Sequence, residues 1–342
     1  MKVALDISPL KTGHQFRGIG VYTQNLKEAL EESKIPDFGI ELVKEGKISQ
    51  DCDLIHYPFF DLFFLTLPFK KSKPAIVTIH DVIPLVFPQN YPPGLKGILK
   101  FQSQKLSLKG VKAIITDSKN SQRDIFKYLN YPLEKIYVVP LAPAPHFKVI
   151  KEEALLNNIR KKYSLPNNFV LYVGDVNYNK NILGLIKAFA GLKGETSLVL
   201  VGKAFLEKDL PETQEIEKLI KSLKLYKKIL RLGFLPTQDL VAIYNLASVY
   251  CQPSFYEGFG LPVLEAMACG CPVVAAKTSS LPEICGQAAI LVDPENINDM
   301  IKGLKKAFFE KKSLKEKGFA QAKKFSWGKT AQQTYEVYRK VV

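Results

Sequence analysis

Short apolar runs alternate with amphipathic stretches of helical length along this whole chain, and that alternation limits the fold more than any single residue does. In the first half the runs are VALDI (3–7), DLIHY (53–57), AIVTIH (75–80), AIITDS (113–118) and IYVVP (136–140). In the second half they are FVLYVG (169–174), SLVLVG (197–202), ILRLG (229–233), VYCQP (249–253), PVVAA (272–276) and AAILV (288–292). Runs rich in Val and Ile, with no polar alternation, are strands buried on both faces. Helices between consecutive strands then require parallel sheets with right-handed crossovers. The helical stretches fall at 22–32, 95–109, 120–129, 181–192, 212–223, 238–246, 262–269 and 296–309. No repeat of solenoid period is present.

The pattern restarts once. PLAPAPHF cannot continue a sheet, and a charged helical stretch follows it before FVLYVG. A length of 342 residues fits two domains at about 150 residues each. The reading is therefore α/β: two doubly wound, Rossmann-like domains, 1–150 and 151–326. A closing helix over 327–342 carries Trp327, Tyr335 and Tyr338 and is expected to pack back on the first domain. Doubly wound domains in tandem place a cleft between their carboxyl strand edges, where ligands bind in such folds.

Composition excludes several classes. No apolar run reaches the roughly 20 residues of a membrane-spanning helix. The opening MKVALDISPL lacks the long apolar core of a signal peptide and reads as a first strand. Five scattered cysteines, an odd number with no zinc spacing, read as reduced thiols in a cytoplasmic protein. The net charge is +15 and uneven: residues 96–135 hold nine Lys/Arg against three acids, and 301–342 hold twelve against three. Such surfaces attract lipid headgroups, nucleic acid or phosphorylated substrates, although a solvated lysine-rich face accounts for them equally well. No nucleic-acid-binding module is visible, and none is expected.

The segment PSFYEGFGLPVLEAMAC carries the chemistry. Glu257 and Glu265 stand eight positions apart around a turn holding Gly258, Gly260 and Pro262. Pro262 suits the first turn of a helix and Gly270 the position just past its end. The backbone N–H groups of Gly258, Phe259, Gly260 and Leu261 can then face a phosphate, aided by the helix dipole. Glu265 is expected in the first helical turn, within reach of a ribose diol. Glu257, in the loop before it, faces whatever hangs from the phosphate. One acid here would be an ordinary capping residue; two acids with two glycines and a proline in register indicate a site.

At this point the residues resemble a family. The Glu-x7-Glu segment is similar to the signature of retaining GT-B glycosyltransferases of family 4. The likeness extends to DISPL with RGIGVYTQNL, THDVIPLVFP, GDVNYNKNI, LPEICGQAAILVDPENI and FSWGKTAQQTYEVY, nearly the whole chain. The GIG-Y start and HDVIP are most similar to bacterial mannosyltransferases of O-antigen type. The resemblance implies a GT-B architecture of two Rossmann-like domains. It also implies a retaining, metal-independent transfer of a hexose from a nucleotide diphosphate sugar, with no further cofactor. GDP-mannose is the favoured donor, and a saccharide or lipid-linked glycan is the acceptor.

Residue by residue, His80 matches the family histidine that contacts the donor sugar; His14, His56 and His146 have no such match and read as structural or exposed. Lys180, in the loop after FVLYVG, matches the lysine that neutralises the diphosphate leaving group. Gly174 ends that strand. The family commonly has Arg-Lys-Asn where this chain has Asn179-Lys180-Asn181, and elsewhere Arg where this chain has Asp175. Gly202 and Lys203 end the next strand beside the nucleotide. Gly18 and Gly20 are read as a loop that lets backbone approach the ligand, with Arg17 meeting an anionic acceptor. Asp51-Cys52-Asp53 precedes a strand, at the edge away from the ligand, and is not read as a metal site. The basic stretch 95–110 sets Leu95, Ile98, Leu99, Leu106 and Leu108 among Lys96, Lys100, Lys105 and Lys109. It fits peripheral contact with an anionic membrane, such as the inner membrane's cytoplasmic face, or equally a surface helix facing the sheet. Two rival readings are a nucleotide-sugar-binding protein without turnover and a nucleotide-sugar epimerase of the same fold.

Overall fold

The computed structural model describes residues 1–11, 18–44, 48–192 and 194–342. The chain divides into two compact units, Met1–Ala142 with Phe325–Val342, and Pro143–Lys324. The change of unit comes before residue 150 because the residues after Pro143 are already tied to the second unit. Phe147 packs edge-on against Tyr244 at 5.9 Å. Asn245 accepts from the Ile150 amide at 2.9 Å and donates to the Lys148 carbonyl at 3.0 Å.

The first unit is built on six parallel strands: β1 (Lys2–Asp6), β2 (Gly39–Val43), β3 (Leu54–Tyr57), β4 (Ala75–Thr78), β5 (Ala113–Thr116) and β6 (Ile136–Val138), in the order β2-β1-β3-β4-β5-β6. β3, β4 and β5 are buried at every position, which is why they read as unbroken apolar runs. β2, GIELV, is an edge strand with one buried residue, Val43, and its sequence carries no such run.

Helix Gly18–Glu31 buries Gly20, Tyr22, Thr23, Leu26, Ala29 and Leu30. It starts earlier than the sequence pattern suggested, so Gly18 and Gly20 form its first turn instead of a loop. The apolar stripe that seats this helix already includes Gly20, one turn before the expected start. Arg17 and His14 lie outside the described residues.

Helix Trp327–Val341 belongs to the first unit and packs on Gly18–Glu31. Its Tyr338 hydroxyl meets His56 Nδ1 at 2.7 Å. His56 Nε2 meets Thr78 Oγ1 at 2.8 Å, and Thr78 Oγ1 meets the Tyr22 hydroxyl at 3.0 Å. Burial lowers the His56 pKa to about 3, so the ring is neutral and serves as one donor and one acceptor in this chain.

The second unit has all six expected strands: β7 (Phe169–Val173), β8 (Ser197–Val201), β9 (Ile229–Leu232), β10 (Val249–Gln252), β11 (Val273–Ala276) and β12 (Ala289–Val292). They are parallel in the order β12-β11-β10-β7-β8-β9. Counted within the unit, this is the doubly wound order 3-2-1-4-5-6, whose direction of winding reverses between its first and fourth strands, here β7 and β10. Ligands in such sheets bind outside the carboxyl ends at that reversal. The loops that leave β7 and β10 therefore flank the position where such a sheet takes its ligand.

Candidate functional site

Two loops meet at the β7/β10 reversal. The loop after β7 turns through Gly174 and a single helical turn, Tyr178–Lys180. The loop after β10 runs from Pro253 to Gly260 and enters helix Leu261–Ala268. Side chains clamp the loops together: Asn179 donates to the Tyr256 carbonyl at 2.8 Å, and Asn181 donates to Pro253 and Pro294 carbonyls at 3.0 and 2.8 Å. Lys180 completes the junction with its ammonium 2.9 and 2.8 Å from the two Glu257 carboxylate oxygens.

Glu257 is 6% exposed, and several groups fix it. Gln252 Nε2 and Ser254 Oγ each donate to its Oε1 at 2.7 Å. The Tyr250 hydroxyl in turn holds Gln252. Ser279 Oγ accepts from the Glu257 amide at 2.9 Å. Ser280 Oγ bridges the Glu257 and Phe259 carbonyls at 3.0 and 2.9 Å. A carboxylate with this many donors is held in one orientation.

The turn beyond is equally constrained. Gly258, Phe259 and Gly260 are buried, and Gly260 has φ +103°, a conformation that favours glycine. A Cβ at Gly260 would stand 2.7 Å from Leu281 Cδ2. Leu261 starts the helix and Pro262 is its second residue, where a missing N–H costs nothing. Glu265 is the fifth residue of this helix and so opens its second turn, not its first. It accepts from the Tyr244 hydroxyl at 3.1 Å. Burial pushes its pKa up to about 7, against the Tyr244 hydrogen bond, which favours ionisation.

The remaining expected residues of this unit line the neighbouring strand ends. Gly174 and Gly202 end β7 and β8, and a Cβ on Gly202 would lie 2.0 Å from the Gly174 carbonyl oxygen. Lys203 is exposed and pairs with Glu207 at 3.2 Å.

In the first unit, His80 stands two residues past β4. Its Nδ1 lies 2.8 Å from Asp117 Oδ2, just past β5. Tyr22 meets the ring edge-on at 4.6 Å. Burial alone would lower the His80 pKa. The Asp117 carboxylate and its hydrogen bond, with Asp81 and the Pro58 carbonyl, outweigh burial and raise it. Lys180 and Glu257 are thus joined within one unit, while His80 and the Gly18–Gly20 turn belong to the other.

Asp117, Gln252, Ser254, Ser279, Ser280 and Tyr244 belong to no motif that singles them out. Only QPS before the motif and TDS at the end of a strand hint at some of them. Away from both strand-end regions, Lys2 inserts its ammonium between Glu41 and Asp51 at 2.8 and 2.7 Å, and its amide donates to Asp53 at 2.8 Å. The carboxylates of the D-x-D thus serve the amino end of β1. All five cysteines are buried and free. Among the described residues no helix is long and apolar enough to cross a membrane.

Comparison with known proteins bears on this arrangement. Residues 157–324 match the family model for glycosyl transferases group 1, and residues 31–142 match that for glycosyltransferase family 4. The chain is 34% identical over 284 residues to O-antigen chain mannosyltransferase B of Escherichia coli, covering 80% of this chain and 72% of that protein. It is 29% identical over 281 residues to the serotype-specific mannosyltransferase WbdA of Escherichia coli, covering 78% of this chain but only 34% of that longer protein. Among solved structures, Anabaena Alr3699/HepE in complex with UDP-glucose superposes with a TM-score of 0.75 over 99% of this chain and 100% of that one, at 19% identity.

Proposed function

This chain belongs to glycosyltransferase family 4 and has the GT-B fold, and on that premise we propose that it transfers mannose, with retention of configuration and without a metal, from GDP-mannose to a saccharide or lipid-linked acceptor. The observation that carries this reading is the Lys180–Glu257 junction at the strand-order reversal of the second unit. The mannosyltransferase names of its relatives support the choice of sugar.

In this reading the diphosphate lies against the Gly258–Leu261 turn and Lys180. The turn opens a helix, so backbone N–H groups and the helix dipole favour the anion. Glu265 takes the ribose hydroxyls, and Gly174, Asn179, Gly202 and Lys203 line the nucleotide's side of the sheet edge. Glu257 orients the hexose through its hydroxyls, with His80 as a further sugar contact. No cofactor beyond the donor is used. As the bond between the anomeric carbon and the diphosphate oxygen breaks, negative charge grows on that oxygen. Fixed cationic and N–H donors stabilise this charge more in the transition state than in the ground state. The acceptor oxygen bonds to the anomeric carbon on the face the phosphate leaves. Its proton passes to the departing phosphate oxygen, so no protein nucleophile is required. A lipid-linked acceptor fits an enzyme of the cytoplasm working at the inner membrane face, with contact through residues 95–110.

Melting temperatures in GDP, UDP and ADP test the donor. A ligand that binds only the folded chain raises its stability by mass action. GDP is expected to give the largest shift; a larger shift with UDP or ADP would overturn the choice of GDP-mannose.

A further inference from the structure

Helix Gly94–Ser107 is nearly inverted: of its five large apolar side chains only Phe101 packs against the core. Its buried residues are Gly97, Gln104 and Ser107, while Leu95, Ile98, Leu99 and Leu106 point to solvent at 84, 47, 70 and 54% exposure. A surface helix normally turns its leucines inward. Inversion here is stabilised by a second segment, residues 61–69, which lies along the helix. The buried Gln104 side chain donates to the Asp61 carbonyl and to Thr66 Oγ1 at 2.9 and 2.8 Å. It also accepts from the Leu67 amide at 3.4 Å. Gly97 leaves room for Phe63 and Pro93: a Cβ there would stand 2.8 Å from Pro93 Cβ. Clamped in this way, the segment holds Phe64, Leu65 and Phe69 at 62, 61 and 60% exposure. Lys100 bridges the two parts, its ammonium 4.8 Å from the Phe64 ring centre.

Seven large apolar side chains are therefore exposed in one region, and its charge is predominantly positive. Residues 61–116 contain eight lysines (70, 71, 73, 96, 100, 105, 109 and 112) and two acids, Asp61 and Asp81. Isolated exposed leucines need no explanation, but a continuous patch in a lysine frame does. Two copies of this chain would bring like charges together on such a face. An anionic bilayer instead accepts both components: apolar side chains enter the acyl boundary and lysines stay among the headgroups.

We propose that Phe64, Leu65 and Phe69 insert together with Leu95, Leu99 and Leu106 into an anionic phospholipid surface, as one two-segment docking face held rigid by Gln104. This extends the membrane contact proposed above from a single helix to two segments, the second of which lies outside residues 95–110. It rests on that membrane reading, not on the identity of the donor.

Sedimentation of the full chain with vesicles tests it. The chain is expected to pellet with vesicles of phosphatidylcholine and phosphatidylglycerol and to stay in solution with phosphatidylcholine alone. Combined substitution Phe64→Ser, Leu65→Ser and Phe69→Ser, which leaves helix 94–107 unchanged, should lower the partition coefficient at least about tenfold. Lys96→Glu with Lys100→Glu should do the same. In both variants the thermal shift with GDP should equal that of the wild type, so loss of lipid binding is read separately from loss of the donor site. Three results would overturn the proposal: equal binding to the two vesicle types, full binding by the triple variant, or a wild-type dimer that the triple variant converts to monomer.

Discussion

Lys180 and Glu257, 77 positions apart in the sequence, form a two-oxygen ion pair at the point where the second sheet reverses its winding. The lysine side chain is 21% exposed and the glutamate 8%. In the proposed function a diphosphate at this turn would compete with Glu257 for the same ammonium. Binding would then shift the lysine from one anion to another, without moving it from bulk water.

Lys180→Ala should weaken GDP binding by about tenfold to a hundredfold, the range expected for loss of one charge-assisted contact. Isothermal titration measures it. The fold should persist, because Gln252 and Ser254 still hold Glu257.

Asp117→Asn should lower the His80 pKa, since burial is then opposed only by Asp81 and the Pro58 carbonyl. The sign for stability follows. A histidine with a raised folded pKa stabilises the fold below its unfolded pKa, and that contribution is lost as pH rises through the folded value. The variant should lose this acid-side contribution. Proton NMR titration of the ring reads the shift directly, and an unchanged pKa would remove Asp117 as its cause.

Glu265 should produce the opposite kind of pH dependence in ligand binding and in folding. Its folded pKa is raised to about 7 from an ordinary 4.5. Between those values the folded state holds a proton that the unfolded state has released, so this group's contribution to stability falls as pH rises. Nucleotide binding through a ribose diol needs the ionised acid and should strengthen over the same window. Glu265→Gln should flatten both trends, seen as melting temperature and GDP affinity measured from pH 5 to about 8.

Gly202→Ala should be severely destabilising, by about 2–4 kcal/mol. Its new methyl group would meet the Gly174 carbonyl at 2.0 Å, and backbone cannot swing aside as a flexible side chain can. Chemical denaturation tests this. Alanine at Gly18, where nothing among the described residues lies within 4 Å of the added Cβ, should be tolerated by the fold.

Much of the architecture was legible because buried parallel strands write themselves as Val/Ile runs. Among the described residues that signal located eleven of twelve strands and missed β2, whose edge position allows Glu41 and an exposed face. The loop bearing Glu257 was legible too, since glycine and proline mark a turn into a helix. The partners were not. Asp117 reaches His80 across 37 positions, and only the pairing of β4 with β5 brings them side by side. Periodicity showed that 95–109 is an amphipathic helix but could not tell which face turns inward. The answer depends on hydrogen bonds that residues 61–67 offer to Gln104. Glu265 was placed one residue early because the helix begins at Leu261.

The most direct measurement is the rate of mannosyl transfer from GDP-mannose by the wild type and by Glu257→Gln, a variant of the same shape whose backbone N–H still donates to Ser279 Oγ. The account predicts a loss of kcat of about a hundredfold or more with the melting temperature nearly unchanged. A Glu257→Gln enzyme that turns over at close to the wild-type rate would contradict it.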